Sequence, residues 1–218
     1  MESNSKSGIA NALNNNMTIE DAVEDYNKLR AYCEGGEINC FSLVGSKVVN
    51  FFTLEERLNT KGNKGISFYE FYDQYDDKYK NMKYITKNYE FNKTKGEKND
   101  LKNKKNIFNL YFGAINIFKP LNAVEIYQIY NPTSILDMTA GWGGRLVGAC
   151  AIDVPFYTGI ENNENLIEPY NKLIDFLEDK TETEINMIYT DCLTVDYSQI
   201  AYDFVLTSPP YYNIELYG

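Results

Sequence analysis

From Ser134 onward, short apolar runs alternate with longer stretches whose apolar positions recur every three to four residues. "SILDM", "FYTGIE", "INMIYTD" and "YDFVLTS" read as strands, each a brief buried run bounded by polar or turn-forming residues. "GWGGRLVGACAI" and "NENLIEPYNKLIDFLEDK" lie between them and keep helical spacing. Strands alternating with helices predict an α/β fold with a parallel sheet and right-handed crossovers. Upstream the pattern is mainly helical. Thr18 reads as an N-cap with Asp21 completing a capping box, and Ile19, Ala22, Val23, Tyr26 and Leu29 follow at helical spacing until Gly35-Gly36. "CFSLVGSKVVNFF" fits either a short hairpin or a buried helix, and "SFYEFYDQY" fits a helix. Ile107 to Phe118 forms a broad apolar helix surface, Pro120 interrupts it, and "LNAVEIYQIY" resumes as a helix that Asn131-Pro132 ends. Residues 1–16 are expected to be a disordered tail. The character changes near Ile107, so two regions are expected: 1–105, mainly helical, and 106–218, α/β.

Charge sharpens this division. The chain of 218 residues carries a net charge of −10. Between Lys78 and Lys105, however, ten lysines face three acids, a local net of +7. The rest therefore carries −17. Gly96 and several Asn residues suggest a loop in this stretch. Tyr79, Tyr84, Tyr89 and Phe91 are interleaved with the lysines. Such a run is either a solvated surface or one that tracks phosphates and stacks bases.

Composition excludes whole classes of chemistry. There is no histidine, so Ser-His-Asp and Cys-His nucleophiles and His-ligated metals are ruled out. Cys33, Cys40, Cys150 and Cys192 form no CxxC pair and read as free thiols of a reducing cytosol, with no metal expected. The polar N-terminus and the lack of a long apolar run predict neither secretion nor a membrane partner.

The candidate chemistry lies at the strand ends. "DMTAGWGGR" follows the first strand and opens a helix, a turn where glycines let a ligand approach the backbone. It is not a P-loop, because no GK[ST] follows, nor a dinucleotide fingerprint, because Leu146 stands where the third glycine belongs. Asp137 at the strand tip would repel a pyrophosphate and suit a cationic ligand. Glu161 ends the second strand, where an acid can take both ribose hydroxyls of a nucleoside. Asp191-Cys192 ends the third, where a side-chain acceptor can face an adenine amino group. In "TSPPYY" the prolines cannot continue a central strand. They are expected to hold a rigid turn whose carbonyls and Ser208 hydroxyl accept from an exocyclic amino group, with Tyr211 stacking on a flat ring.

The run from Ser134 to Tyr212 resembles the S-adenosylmethionine-dependent amino-methyltransferases of DNA. "DMTAGWGG" looks like that family's first cofactor motif, although Met138 and Thr139 stand where a proline and an aromatic are common. "TSPPY" looks like its catalytic (Asp/Asn/Ser)-Pro-Pro-Tyr motif. The resemblance implies a Rossmann-like class I methyltransferase sheet, preceded by the mainly helical region and incomplete at the C-terminus, since four of seven strands are supplied. It implies S-adenosylmethionine held by Asp137, Thr139, Gly141, Gly143, Glu161, Asp191 and Cys192. Catalysis falls to Ser208, Pro209, Pro210 and Tyr211, acting on cytosine N4 or adenine N6. DNA is the implied partner. RNA methylation, or a non-catalytic partner retaining the fold, are the alternatives. A second copy, an N-terminal segment of the chain or another subunit is expected to cover the open edge of the last strand.

Overall fold

The computed structural model describes residues 5–35, 42–62, 64–208 and 215–216. The chain begins with α1 (Lys6–Leu13), where the Ser5 hydroxyl accepts the Gly8 N–H at 3.1 Å. This corrects the expected disorder for residues 5–16, residues 1–4 lying outside the described residues: Ile9 and Ala10 are buried in an aromatic cluster, and that contact outweighs the polar composition around them. The Thr18–Asp21 capping box is formed and starts α2 (Ile19–Cys33). The ambiguous stretch resolves as a helix, α3 (Ser46–Asn59), with the Lys47 N–H donated to Asp25 at 2.8 Å. A short strand, β1 (Lys61–Gly62), precedes α4 (Phe68–Asp73), which is opened by a Ser67–Glu70 capping box.

Next come a wide helical turn at Tyr75–Tyr79, α5 (Lys83–Thr94) and α6 (Asp100–Phe108). Gly96, at φ +98°, lies in the loop expected there, and the rest of the lysine-rich stretch is largely the two helices on either side of it. The expected single helix over Ile107–Phe118 is also corrected. A wide turn ends at Gly113 (φ +100°), and residues 114–119 form no helix before Pro120, with Ala114 and Lys119 extended. Pro120 is the first residue of α7 (Pro120–Tyr130), and the residue before a proline disfavours helix.

The sheet follows as β2 (Ser134–Asp137), α8 (Gly144–Ala151), β3 (Phe156–Glu161), α9 (Ile167–Leu177), β4 (Glu184–Tyr189) and β5 (Phe204–Val205). Its order is β4-β3-β2-β5 and every pairing is parallel. The protein is thus mixed α/β with a four-stranded parallel sheet. Among the described residues β5 has no second strand partner, and Val205 is 41% exposed. A last short strand, β6 (Glu215–Leu216), pairs antiparallel with β1.

The contacts resolve into two compact units. One contains residues 54–116, together with α1 and β6, around the cluster of Phe68, Phe71, Tyr75, Tyr79, Ile85 and Phe108. The other contains residues 17–53 and 117–209. The helical N-terminal region is therefore split, and α2 belongs with the sheet. Arg30 fixes it there, donating to both oxygens of Asp153 at 3.1 and 2.7 Å and to the Lys180 carbonyl at 3.0 Å. Tyr26 and Leu29 are fully buried beside this clamp. Among the described residues no helix is long and apolar enough to cross a membrane.

Candidate functional site

Parallel pairing carries the C-terminal ends of the four strands to one edge of the sheet. The register sets Asp137 opposite Gly159, Glu161 opposite Tyr189, and Leu136 opposite Val205. Asp203 secures the far end of β5. Its carboxylate accepts the Thr133 and Ser134 N–H groups at 3.0 and 2.9 Å, which locks β5 beside β2. With that register the chain leaving β5 reaches the glycine turn, and the Thr139 and Thr207 hydroxyls lie 2.7 Å apart. Ser208 follows directly. Pro209, Pro210 and Tyr211 lie outside the described residues.

Asp137 departs from its expected role. It is fully buried, and its Oδ2 accepts from Arg145 Nε at 2.6 Å and the Tyr157 hydroxyl at 2.7 Å. Its Oδ1 accepts the Thr139 N–H at 3.3 Å. Arg145 also donates to the Thr139 carbonyl and stacks over the Phe118 ring at 5.2 Å. The negative charge is thus met inside the protein, and Asp137 braces the turn instead of facing a cationic ligand. Burial first, and then the Asp137 carboxylate, hold the Tyr157 phenol protonated well above its ordinary range.

Glu161 is placed differently. Its two oxygens accept the Gly141 N–H at 2.7 Å and the Asn163 N–H at 2.8 Å. Burial raises its carboxyl above the ordinary value, while these backbone donors pull the other way. The Tyr170 hydroxyl donates to the Gly141 carbonyl at 3.0 Å, so both polar groups of Gly141 are held.

The glycines of the turn divide by what surrounds them. Gly143 has φ +85°, and an added Cβ would meet Leu173 at 2.9 Å, so it serves packing. Gly141 has φ +61°, and its nearest neighbours to an added Cβ stand at 3.6 Å or more. It is the position of the two where a ligand can approach the backbone.

Asp191 is exposed and caps a short turn, its Oδ1 accepting the Leu193 N–H at 2.9 Å. Cys192 beside it is a half-buried free thiol whose carbonyl accepts from Tyr197 at 2.7 Å. The sheet edge thus brings Thr139, Gly141, Glu161, Asp191, Cys192 and Ser208 to its C-terminal side. Among the described residues no group of three or more acids or thiols is arranged to hold a metal ion.

Arg145, Tyr157, Tyr170 and Thr207 were not expected from the sequence. Arg145 had a legible signal, being a cation in the first turn of a buried helix behind a buried acid. The tyrosines had none, because their partners are distant in sequence.

The lysine-rich stretch belongs to the other unit, and part of it turns inward. Lys104 is buried against the Tyr75 ring at 4.5 Å and pairs with Asp100 at 3.0 Å. Lys105 sits over the Phe68 and Phe108 rings at 5.2 and 5.1 Å and donates to Asn109 at 2.8 Å. These two lysines pack the aromatic cluster and do not offer a free phosphate-tracking face. In comparisons with known proteins no family model, no curated protein and no solved structure matches this chain, so the residues at this sheet edge are themselves the ground for a functional reading.

Proposed function

We propose that this protein is an S-adenosylmethionine-dependent methyltransferase acting on an exocyclic amino group of a DNA base, built on a Rossmann-like class I methyltransferase sheet. The observation that carries this reading is the β4-β3-β2-β5 parallel order, with the glycine turn, Glu161, Asp191 and the Thr207–Ser208 segment meeting at one edge. Open α/β sheets bind ligands in that crevice.

The donor set fits a nucleoside-bearing cofactor. The Glu161 carboxylate is held by backbone N–H groups of Gly141 and Asn163, with the Asn162 N–H also favouring its charged form, and the acceptor capacity that remains would meet a ribose hydroxyl. Gly141 gives close access to the backbone. Asp191 is an exposed acceptor for an adenine amino group. S-adenosylmethionine, when bound, supplies an electrophilic methyl group, so neither a metal nor a protein nucleophile is needed. Ser208 accepts a hydrogen bond from the target amino group and orients its lone pair. The Pro209 carbonyl and the Tyr211 ring take the parts that the Ser-Pro-Pro-Tyr resemblance assigns them. Asp137 and Arg145 are positioning residues that hold the turn.

Calorimetric titration with S-adenosylmethionine tests the reading. Saturable binding is expected, with an affinity lowered at least about tenfold in Glu161→Ala, since charge-assisted hydrogen bonds to the ribose are lost. Unfolding in urea, measured on the same variant, separates a loosened turn from a lost ligand contact. Transfer of labelled methyl groups to single-stranded DNA, duplex DNA and RNA then identifies the substrate. No heat at near-millimolar cofactor overturns the proposal.

A further inference from the structure

The inward turn of Lys104 and Lys105 leaves a different part of the lysine-rich stretch on the surface. Tyr84, Lys87 and Phe91 on α5, and Lys95 capping its C-terminal end, follow one another at intervals of three or four, which places them along a single stripe. All four are exposed. Tyr84 is 46% and Phe91 54% exposed, a large apolar area to leave in water. Ile85, the buried residue of this helix, faces away from that stripe into the aromatic cluster. Tyr111 packs its ring on Tyr84 at 4.8 Å and widens the platform. Lys95 Nζ lies 5.5 Å from the centre of the Phe91 ring. Ring, cation, ring, cation thus repeat along one face.

We propose that this stripe is a docking surface for single-stranded DNA. Its charge is complementary to phosphate, within a stretch of local net +7 on a chain that is otherwise acidic. An isolated cation run would suit duplex and single strand alike. Exposed rings between the cations favour unpaired bases, because only an unstacked base offers its face to an aromatic side chain. Tyr84 and Phe91 are two helical turns apart, about 10 Å along the axis, close to three stacked nucleotide steps. Asn88 lies on the same face and donates to the Tyr84 carbonyl and the Tyr111 hydroxyl, so the polar groups between the rings brace the platform. The choice of DNA rests on the methyltransferase reading. A surface of this kind would retain a strand whose target base must leave the helical stack.

The test is fluorescence anisotropy of a labelled oligo-dT with the full chain across a salt series. Tyr84→Ala/Phe91→Ala is expected to weaken binding at least about tenfold with the salt slope retained. Lys87→Gln/Lys95→Gln is expected to reduce the slope by about 1.4, the value for two lost phosphate contacts. Circular dichroism checks folding, and Phe91→Ala alone serves if removal of Tyr84 disturbs Tyr111. Equal affinity of wild type and the aromatic variants overturns the proposal. So does tighter binding of duplex DNA or of oligo-U. S-adenosylmethionine titrations on the same samples keep the two readings apart: a wild type that gives cofactor heat and binds no strand refutes only the stripe, and a wild type that binds the strand without cofactor heat refutes only the methyltransferase.

Discussion

Asp137 and Arg145 carry opposite charges in a place that water does not reach. Such a pair gains little over an apolar replacement, but removing one partner leaves the other uncompensated. Asp137→Asn is therefore expected to destabilise the sheet unit by about 3–5 kcal/mol in urea unfolding. The double variant Asp137→Asn/Arg145→Met should recover much of that loss, and a strictly additive double variant would show that the two side chains are not coupled. Lys105 offers a pH signature. Burial, and then the Arg57 charge, depress its ammonium to about 8, against 10.5 in an unfolded chain. The stability this group contributes is complete above about 10.5 and is lost as pH falls through about 8. Lys105→Met should raise stability at pH 7 by about 3 kcal/mol at most and remove the gain that wild type shows between pH 7 and pH 9.5. Equal pH profiles in wild type and variant would place the ammonium in water. All three residues look alike in sequence, as charges near apolar runs. Burial of the ionised group, which composition does not record, separates them from surface charges.

Among the elements, α7 and α8 show what the glycines of "GWGGRLVG" contribute to packing. An added Cβ on Gly148 would stand 2.7 Å from Ala123 Cβ and 2.8 Å from the Pro120 carbonyl. One on Gly144 would stand 1.8 Å from the Phe118 carbonyl. The glycine spacing therefore admits a neighbouring helix and its lead-in as much as a ligand. Gly148→Ala is expected to cost about 1–3 kcal/mol by overpacking, read as a lower urea midpoint with an unchanged slope. A neutral effect would mean that α7 can retreat. The capping box of α2 and the strand β3 were legible because both rest on adjacent residues: Thr18 with Asp21, and an uninterrupted apolar run ending in Glu161. The break of Ile107–Phe118 was less so. Its apolar spacing suits a helix, yet Gly113 takes a positive φ and Pro120 requires an extended approach. Two local rules outweighed the period.

At the scale of the whole molecule, charge and core are divided in different ways. The aromatic cluster of one unit takes in α1 and the inward lysines, while the sheet unit takes in α2. Local pattern alone settled the alternation of strand and helix, the parallel sheet, the position of acids at three strand ends and the absence of histidine chemistry. These follow from periodicity, turn residues and composition, all of which act over a few neighbouring positions. Tertiary structure decided the rest. It chose which acid is consumed internally, because Arg145 and Tyr157 reach Asp137 only once α8 and β3 have packed on β2. It held Glu161, which is buried as well, on backbone N–H groups of the glycine turn and the strand end and not on a side-chain cation. It also divided the lysines into those folded over Phe68, Tyr75 and Phe108 and those standing with Tyr84 and Phe91 on the outer stripe of α5. Whether a charge meets a partner or meets water depends on contacts between residues far apart in the chain, and those form only as the chain folds.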